Sequence, residues 1–379
     1  MTDAFIAGAG MTRFGRRAEP LETLVREAAT AALKEAGVTQ VDHVYFGLQN
    51  PEEFTGNANT CAHLLSALGL VPTPATRVES APSTGSSALL AAVNAVRSGY
   101  ADTVLVVGAE KMTSLSTAET SRVLAKMMDP RERRYGLSMP ALAALSTRTY
   151  MQATGLTREA LALAPVKAHA HGQRNPYAQF QKAITVEEVL ASAPVADPLR
   201  VYDCAPVSDG AAALVLTSRR GPVRVAGVGQ ASDTYALLDR PDPEAFLRFR
   251  NTTWAAEKAF ARSGLTQAQV DVVEMHDAFS WLEFMNLEDL GFFKRGEALR
   301  ALRAGETSLG GRLPVNVSGG LKARGHPVGA TGAAMVAELF WQLSGRAGPR
   351  QVDGARVGLA HNIGGYGNNT VVTLLEAAA

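Results

Sequence analysis

Ser318-Gly319-Gly320-Leu321-Lys322-Ala323-Arg324-Gly325-His326-Pro327-Val328-Gly329-Ala330-Thr331-Gly332 sets a run of glycines and a proline around a single histidine. It follows a short apolar run, Leu313–Val317, and leads into small residues at helical spacing over Val328–Leu343. The first run reads as a strand and the second as a helix. A lone histidine is most often structural. So many turn residues around one point instead to a loop where backbone approaches a ligand and an imidazole is held at a fixed angle.

Two further stretches join it. Val272-Val273-Glu274-Met275-His276-Asp277-Ala278-Phe279 places a histidine where a strand gives way to a helix. Ligands of α/β sheets gather at the carboxyl ends of strands. His361-Asn362-Ile363-Gly364-Gly365-Tyr366-Gly367 is a glycine loop after another strand. Gly8-Ala9-Gly10, after the apolar start Asp3–Ala7, invites a dinucleotide reading. Its next glycine is Gly15 and no acidic residue closes a second strand, so it reads as a tight turn.

Outward from these, strands alternate with helices. Helices are expected over Glu22–Ala36, Asn57–Leu68 and Ser83–Ser98, strands over His43–Leu48, Thr76–Glu79 and Thr103–Val107. The alternation resumes with strands Ala211–Thr217, Val223–Val228 and Val270–Met275, and helices Pro243–Ser263 and Ala278–Leu290. Strands Arg356–Ala360 and Thr370–Leu375 close the chain. This order predicts a layered α/β fold with a mostly parallel sheet, built from two duplicated βαβαβ halves. The expected division is 1–110 with 201–220 for the first half, 221–379 for the second, and a helical insertion without strands over 111–200.

Bulk properties exclude several classes. The net charge of +1 gives no overall field for nucleic acid or membrane. No apolar stretch has the length of a membrane span, no leader-like start is visible, and the expected compartment is the cytoplasm. Cys61 and Cys204 are too few for a disulfide framework and sit in no metal-ligand cluster, so no metal is expected.

The motifs GGLxxxGHPxGATG and HDAF, the C-terminal glycine loop, Asn175-Pro176 with Gln179-Phe180, and Ser208-Asp209-Gly210-Ala211-Ala212 occur in the order found in thiolases. The chain resembles that superfamily from about Ala4 to Leu375, and most closely its lipid-transfer-protein and archaeal-type branch. The resemblance implies a five-layered αβαβα fold with a loop domain. It also implies a coenzyme A thioester as substrate, no bound cofactor, and a homodimer. A separate zinc-ribbon/OB-fold protein of the DUF35 type is the partner it suggests.

By the same resemblance, the acyl-accepting cysteine of the family falls on Pro82, in Val78-Glu79-Ser80-Ala81-Pro82-Ser83-Thr84-Gly85-Ser86, and the second family cysteine on Asn362. A proline has neither a thiol for a thioester nor an N–H for an oxyanion hole. His276 and His326 remain, at positions that in the family hold the thioester oxygen. A neutral imidazole N–H stabilises a developing enolate and can also move a proton. Expected catalytic residues are therefore His276, His326, Tyr366 and Asn362. Expected contacts to coenzyme A are Ser83, Arg131, Arg134, Lys167, His169, Arg174, Asn316, Gly319, Gly320 and Gly364, with Met127, Met128 and Met139 near the acyl tail. Three functions stay open: aldol-type cleavage or formation of a C–C bond without a covalent intermediate, a thiolase with Ser83 or Ser86 as nucleophile, and a non-catalytic subunit.

Overall fold

The computed structural model describes residues 2–378. In the first half, β1 (Phe5–Met11), α1 (Leu21–Ala36) and β2 (His43–Gly47) precede two short helices, α2 (Pro51–Thr55) and α3 (Thr60–Leu68). Then come β3 (Ala75–Val78), α4 (Thr84–Arg97) and β4 (Thr103–Lys111). The insertion holds α5 (Thr117–Ala125), α6 (Pro130–Arg134), α7 (Met139–Thr154), α8 (Arg158–Gly172), α9 (Val186–Ala191), β5 (Pro194–Ala196) and β6 (Leu199–Arg200). β7 (Asp209–Thr217) completes the first half. The second half runs β8 (Val223–Ser232), α10 (Arg250–Ser263), β9 (Val272–Met275), α11 (Ser280–Asp289), α12 (Ala298–Arg303), α13 (Gly320–Ala323), α14 (Thr331–Leu343), β10 (Val357–Gly364) and β11 (Asn369–Ala377).

The strand order β3-β2-β4-β7-β1-β8-β11-β10-β9 contains the duplication. Reading outward from the β1–β8 junction, β1-β7-β4-β2-β3 is mirrored by β8-β11-β10-β9, and a single parallel bridge from Val273 to Val315 stands where β3 stands in the first half. The halves join through two residue pairs, Phe5–Arg224 and Ile6–Val223. α1 covers the outer face of β1, β4 and β7, and α10 the outer face of β8 and β11. α4 and α14 lie against each other between the halves, which gives the five layers of a thiolase-type α/β fold. Almost every residue of α14 is buried, because it faces strands of both halves. An all-round apolar helix is stable only in such a setting.

Several expectations are corrected. The sheet is mixed: only β2–β3, β2–β4 and β9–β10 pair in parallel, since β7, β1, β8 and β11 return antiparallel through its middle. Gly8 and Gly10 do not close a turn but lie inside β1. A Cβ on Gly10 would stand 2.1 Å from the Ala28 carbonyl of α1, so the glycines allow close helix–sheet contact. Leu313–Val317 forms one bridge and no strand. The helix expected from Pro243 begins only at Arg250. The one expected from Val328 begins at Thr331, because Pro327 to Gly329 belong to the histidine loop. The insertion is not wholly helical, as β5 and β6 pair antiparallel. β10 runs on through His361 and Asn362, so Asn362 projects from a strand and not from a loop.

Candidate active site

His276 sits just beyond β9, and His326 in the loop between α13 and α14. Their rings meet edge to face, with centroids 5.1 Å apart. Both line a cavity of about 340 Å³ whose walls are mostly apolar. Pro82, Cys204, Ala278, Ile363 and Tyr366 line it as well, and Leu124, Met127, Met139 and Val195 contribute from the insertion.

Buried ion pairs hold the histidine loops in place. Lys322 Nζ donates to Asp277 Oδ2 at 2.6 Å, and Leu321 N donates to Asp277 Oδ1 at 2.7 Å. Gly320 (φ 58°) must lack a side chain here, since a Cβ would lie 2.5 Å from Asp277 Oδ2. Arg324 pairs with Glu274, which also accepts from Ser318 N and Ser318 Oγ. Thus Glu274 and Asp277, on either side of His276 in its motif, are tied to the residues that precede His326. Glu110, at the end of β4, accepts from Gln49 N, Asn50 N and Gly329 N, which fastens the same loop to the first half. Burial raises its carboxyl to about 7.

His276 Nδ1 is 3.1 Å from Asn362 Nδ2, and His326 Nδ1 is 2.7 Å from Thr331 Oγ1. Burial lowers His276 to about 3, with His361 and Lys322 acting in the same direction. Burial, and then the neighbouring His276, lower His326 well below the ordinary histidine range. Both rings are neutral near pH 7 and suited to donating a hydrogen bond or accepting a proton.

These shifts predict acid sensitivity. A histidine whose folded pKa is depressed contributes stability above the unfolded value of about 6.5, and that contribution is lost as pH falls toward the folded value. His276 and His361, both near 3, and His171, near 4, act this way together with His326. Each costs about 1.4 kcal/mol per pH unit below about 6.5. Glu110 and Glu274, both raised to about 7 by burial, and Asp289, raised to about 6, oppose them, since acid favours their folded forms. The four imidazoles outweigh these three carboxyls. Denaturant unfolding should show stability falling by several kcal/mol, on the order of 5, between pH 6.5 and 4; a flat or rising profile would show that these rings take up protons in the folded state.

The other expected residues lie elsewhere. The Tyr366 ring lines the cavity, but its hydroxyl is 2.6 Å from Ser146 Oγ and donates to the Leu142 carbonyl at 3.0 Å, and burial pushes its pKa upward. Ser83 Oγ donates to the Ser80 carbonyl and accepts from Asn369 Nδ2, and Ser83 does not line the cavity. Lys167 is buried in an ion pair with Glu283 and also donates to the Val315 carbonyl. His169 is buried, stacked on Phe180, with Nδ1 on the Lys182 carbonyl. Asn316 (φ 54°) accepts from Met275 N and supports β9. Gly319 packs on Gly172, and Gly364 faces Ser80 and Ser83. Arg131 is exposed and paired with Asp129 and Asp239; Arg134 and Arg174 are exposed. Met127 and Met139 reach the cavity, whereas Met128 is part of the core. None of the ten expected coenzyme A contacts lines the cavity. Cys204, Thr331 and Val195 are contributors that the sequence reading passed over. The only signal for Thr331 was its place five residues after His326 in the same motif.

The duplicated five-layer architecture, with one histidine just beyond β9 and another in the loop between α13 and α14 meeting over one cavity, defines a thiolase-type protein. The thiolase N-terminal domain matches residues 4–220 and the thiolase C-terminal domain-like family residues 229–377, and the chain belongs to the thiolase family. It is 42% identical to an acetyl-CoA acetyltransferase of Methanothermobacter thermautotrophicus, over 99% of this chain and 100% of that one. It is 37% identical to sterol carrier protein 2 of Gallus gallus, over 98% of this chain and 71% of the relative. Among solved structures, the Ltp2-ChsH2(DUF35) aldolase superposes with a TM-score of 0.84 at 26% identity, covering 99% of this chain and 98% of that one. Among the described residues no helix is long and apolar enough to cross a membrane.

Proposed function

We propose that this protein binds acyl-CoA thioesters and makes or breaks a C–C bond by aldol chemistry, without an acyl-enzyme. The observation that supports this most directly is the pair of neutral imidazoles, 5.1 Å apart, at an apolar cavity whose wall carries Pro82. Retro-aldol cleavage of a β-hydroxyacyl thioester needs a base for the β-hydroxyl and donors for the enolate oxygen. It needs no thiol. Resemblance to the aldolase structure supports the aldol reading, and resemblance to an acetyl-CoA acetyltransferase supports a coenzyme A thioester as substrate.

The serine-nucleophile alternative is weaker, since the Ser83 hydroxyl is engaged by Ser80 and Asn369 outside the cavity. A separate DUF35-type chain is part of the proposal, suggested by the pairing of Ltp2 with ChsH2(DUF35) in the aldolase structure. So is a homodimer. The outer edge of β3, which carries no further strand among the described residues, offers backbone groups to a second copy.

The test is incubation of the protein, alone and with a co-expressed DUF35-type chain, with a panel of β-hydroxyacyl-CoAs. Release of a carbonyl compound and a shortened acyl-CoA, with the intact protein mass unchanged, is expected. An added acyl mass on the chain would overturn the non-covalent reading in favour of a thiolase with an unusual nucleophile.

A further inference from the structure

Two imidazoles facing one cavity perform different tasks only if they carry their protons on different nitrogens. Their other ring nitrogens are held by different partners, and those partners decide the question.

For His326 the partner is the Thr331 hydroxyl, 2.7 Å from Nδ1. That hydroxyl has one hydrogen and lies 3.0 Å from the Pro327 carbonyl, which also accepts from Ala330 N and Thr331 N. With that hydrogen directed at Pro327, Oγ1 is left to accept, and the proton of the 2.7 Å contact sits on His326 Nδ1. Nε2 keeps a bare lone pair.

For His276 the partner is Asn362. Its Nδ2 donates to His276 Nδ1 at 3.1 Å, which leaves the ring proton on Nε2. The orientation of the amide matters, because a flipped side chain would reverse the conclusion. Its surroundings support the orientation with the oxygen toward Ser86. Asn362 Oδ1 and Ser86 Oγ are both buried without a partner. Both lie 2.4 Å from the point that a Cβ on Gly332 would occupy, as does Ser86 N. The space left by Gly332 thus gathers a hydroxyl and a backbone N–H beside the amide oxygen. In the flipped orientation the NH2 group would face that N–H, donor against donor. The orientation with the oxygen on the Ser86 side and the NH2 on His276 avoids that opposition, without a hydrogen bond to Ser86.

We infer that Asn362 and Thr331 are positioning residues that give the two histidines opposite tautomers: His276 presents Nε2–H as a donor, and His326 presents Nε2 as a base. Among the described residues the hydrogen bonds of both rings run through Nδ1, which leaves each Nε2 to a ligand in the cavity. The inference rests on the aldol reading for its chemistry but not for its geometry. In that chemistry His326 Nε2 takes the β-hydroxyl proton. The Cα–Cβ bond breaks, the β-carbon becomes a carbonyl, and the bond's electron pair becomes an enolate whose oxygen accepts from His276 Nε2–H. The proton held on His326 then passes to the α-carbon, which gives the shortened acyl thioester and restores the base. Asn362 occupies the position that the family resemblance gives to a cysteine, and here it acts through His276.

The experiment is long-range 1H–15N correlation on protein labelled with 15N-histidine, with the two rings assigned from His276→Gln and His326→Gln. The expected wild-type spectrum shows His276 protonated at Nε2 and His326 at Nδ1. One common tautomer for both rings would overturn the inference, and this result needs no further variant to fold. Asn362→Asp is expected to place a proton on His276 Nδ1 and leave His326 unchanged. A folded Asn362→Asp protein in which His276 Nδ1 stays bare would also overturn it. Thr331→Val is expected to release His326 into a mixture of tautomers, and Thr331→Ser to retain Nδ1–H. Opposite tautomers with no turnover of any β-hydroxyacyl-CoA would uphold the positioning roles and defeat only the aldol reading.

Discussion

Replacing His326 by alanine is expected to lower turnover of a β-hydroxyacyl-CoA by about two to four orders of magnitude, the usual cost of losing a positioned general base. The KM should change little, because His326 is one of many residues lining a mostly apolar cavity. His276→Ala is expected to cost about two to three orders of magnitude, the scale for one oxyanion donor. The two should not multiply in the double variant, since base and donor act on a single step. Steady-state kinetics on folded variants, checked by circular dichroism, provides the readout. A loss below tenfold at either position would mean that the cavity does not work on its substrate through these rings.

The second large effect is on stability. Asp277→Ala is expected to cost about 3–5 kcal/mol, because it leaves the Lys322 ammonium without its carboxylate in a site fully shielded from water. The remaining acceptor is the backbone carbonyl of residue 277, at 3.2 Å. The Leu321 N–H loses its partner as well. Denaturant unfolding measures this directly. A loss under about 1 kcal/mol would show that Lys322 finds another acceptor or water. Replacing both members with apolar residues should recover much of the loss, since a buried pair is costly mainly when it is broken. Its place beside His276, and at the root of the loop bearing His326, explains why such a pair sits here.

The sequence displayed the two histidine loops because their physical requirements are local. A histidine framed by Gly325, Pro327 and Gly329, and another between an apolar strand and a helix, are legible without knowing what each faces. The alternation of strands and helices was legible for the same reason. The direction of the central strands was not. β7, β1, β8 and β11 carry apolar runs like those of parallel strands, and only their neighbours reveal the antiparallel pairing. Cationic residues were the poorest guide. Lys167, His169 and Arg131 read as a coenzyme A surface, yet the first two are buried in internal contacts and the third is paired with two aspartates. Composition counts charges but does not say which are already neutralised.

By itself, then, the sequence determined the layered α/β class, the duplicated halves, the family and the identity of two imidazoles, since each follows from local periodicity and from short motifs. Tertiary structure alone decided which groups surround those imidazoles. Asn362 comes from β10, Thr331 from α14, Ser86 from α4, and the cavity's far wall from the insertion. Apart from Thr331, five residues after His326, these groups lie far from the histidines along the chain, and their approach depends on packing of α4 and α14 at the centre of the molecule. The proton-bearing nitrogen of each ring is a property of that packing.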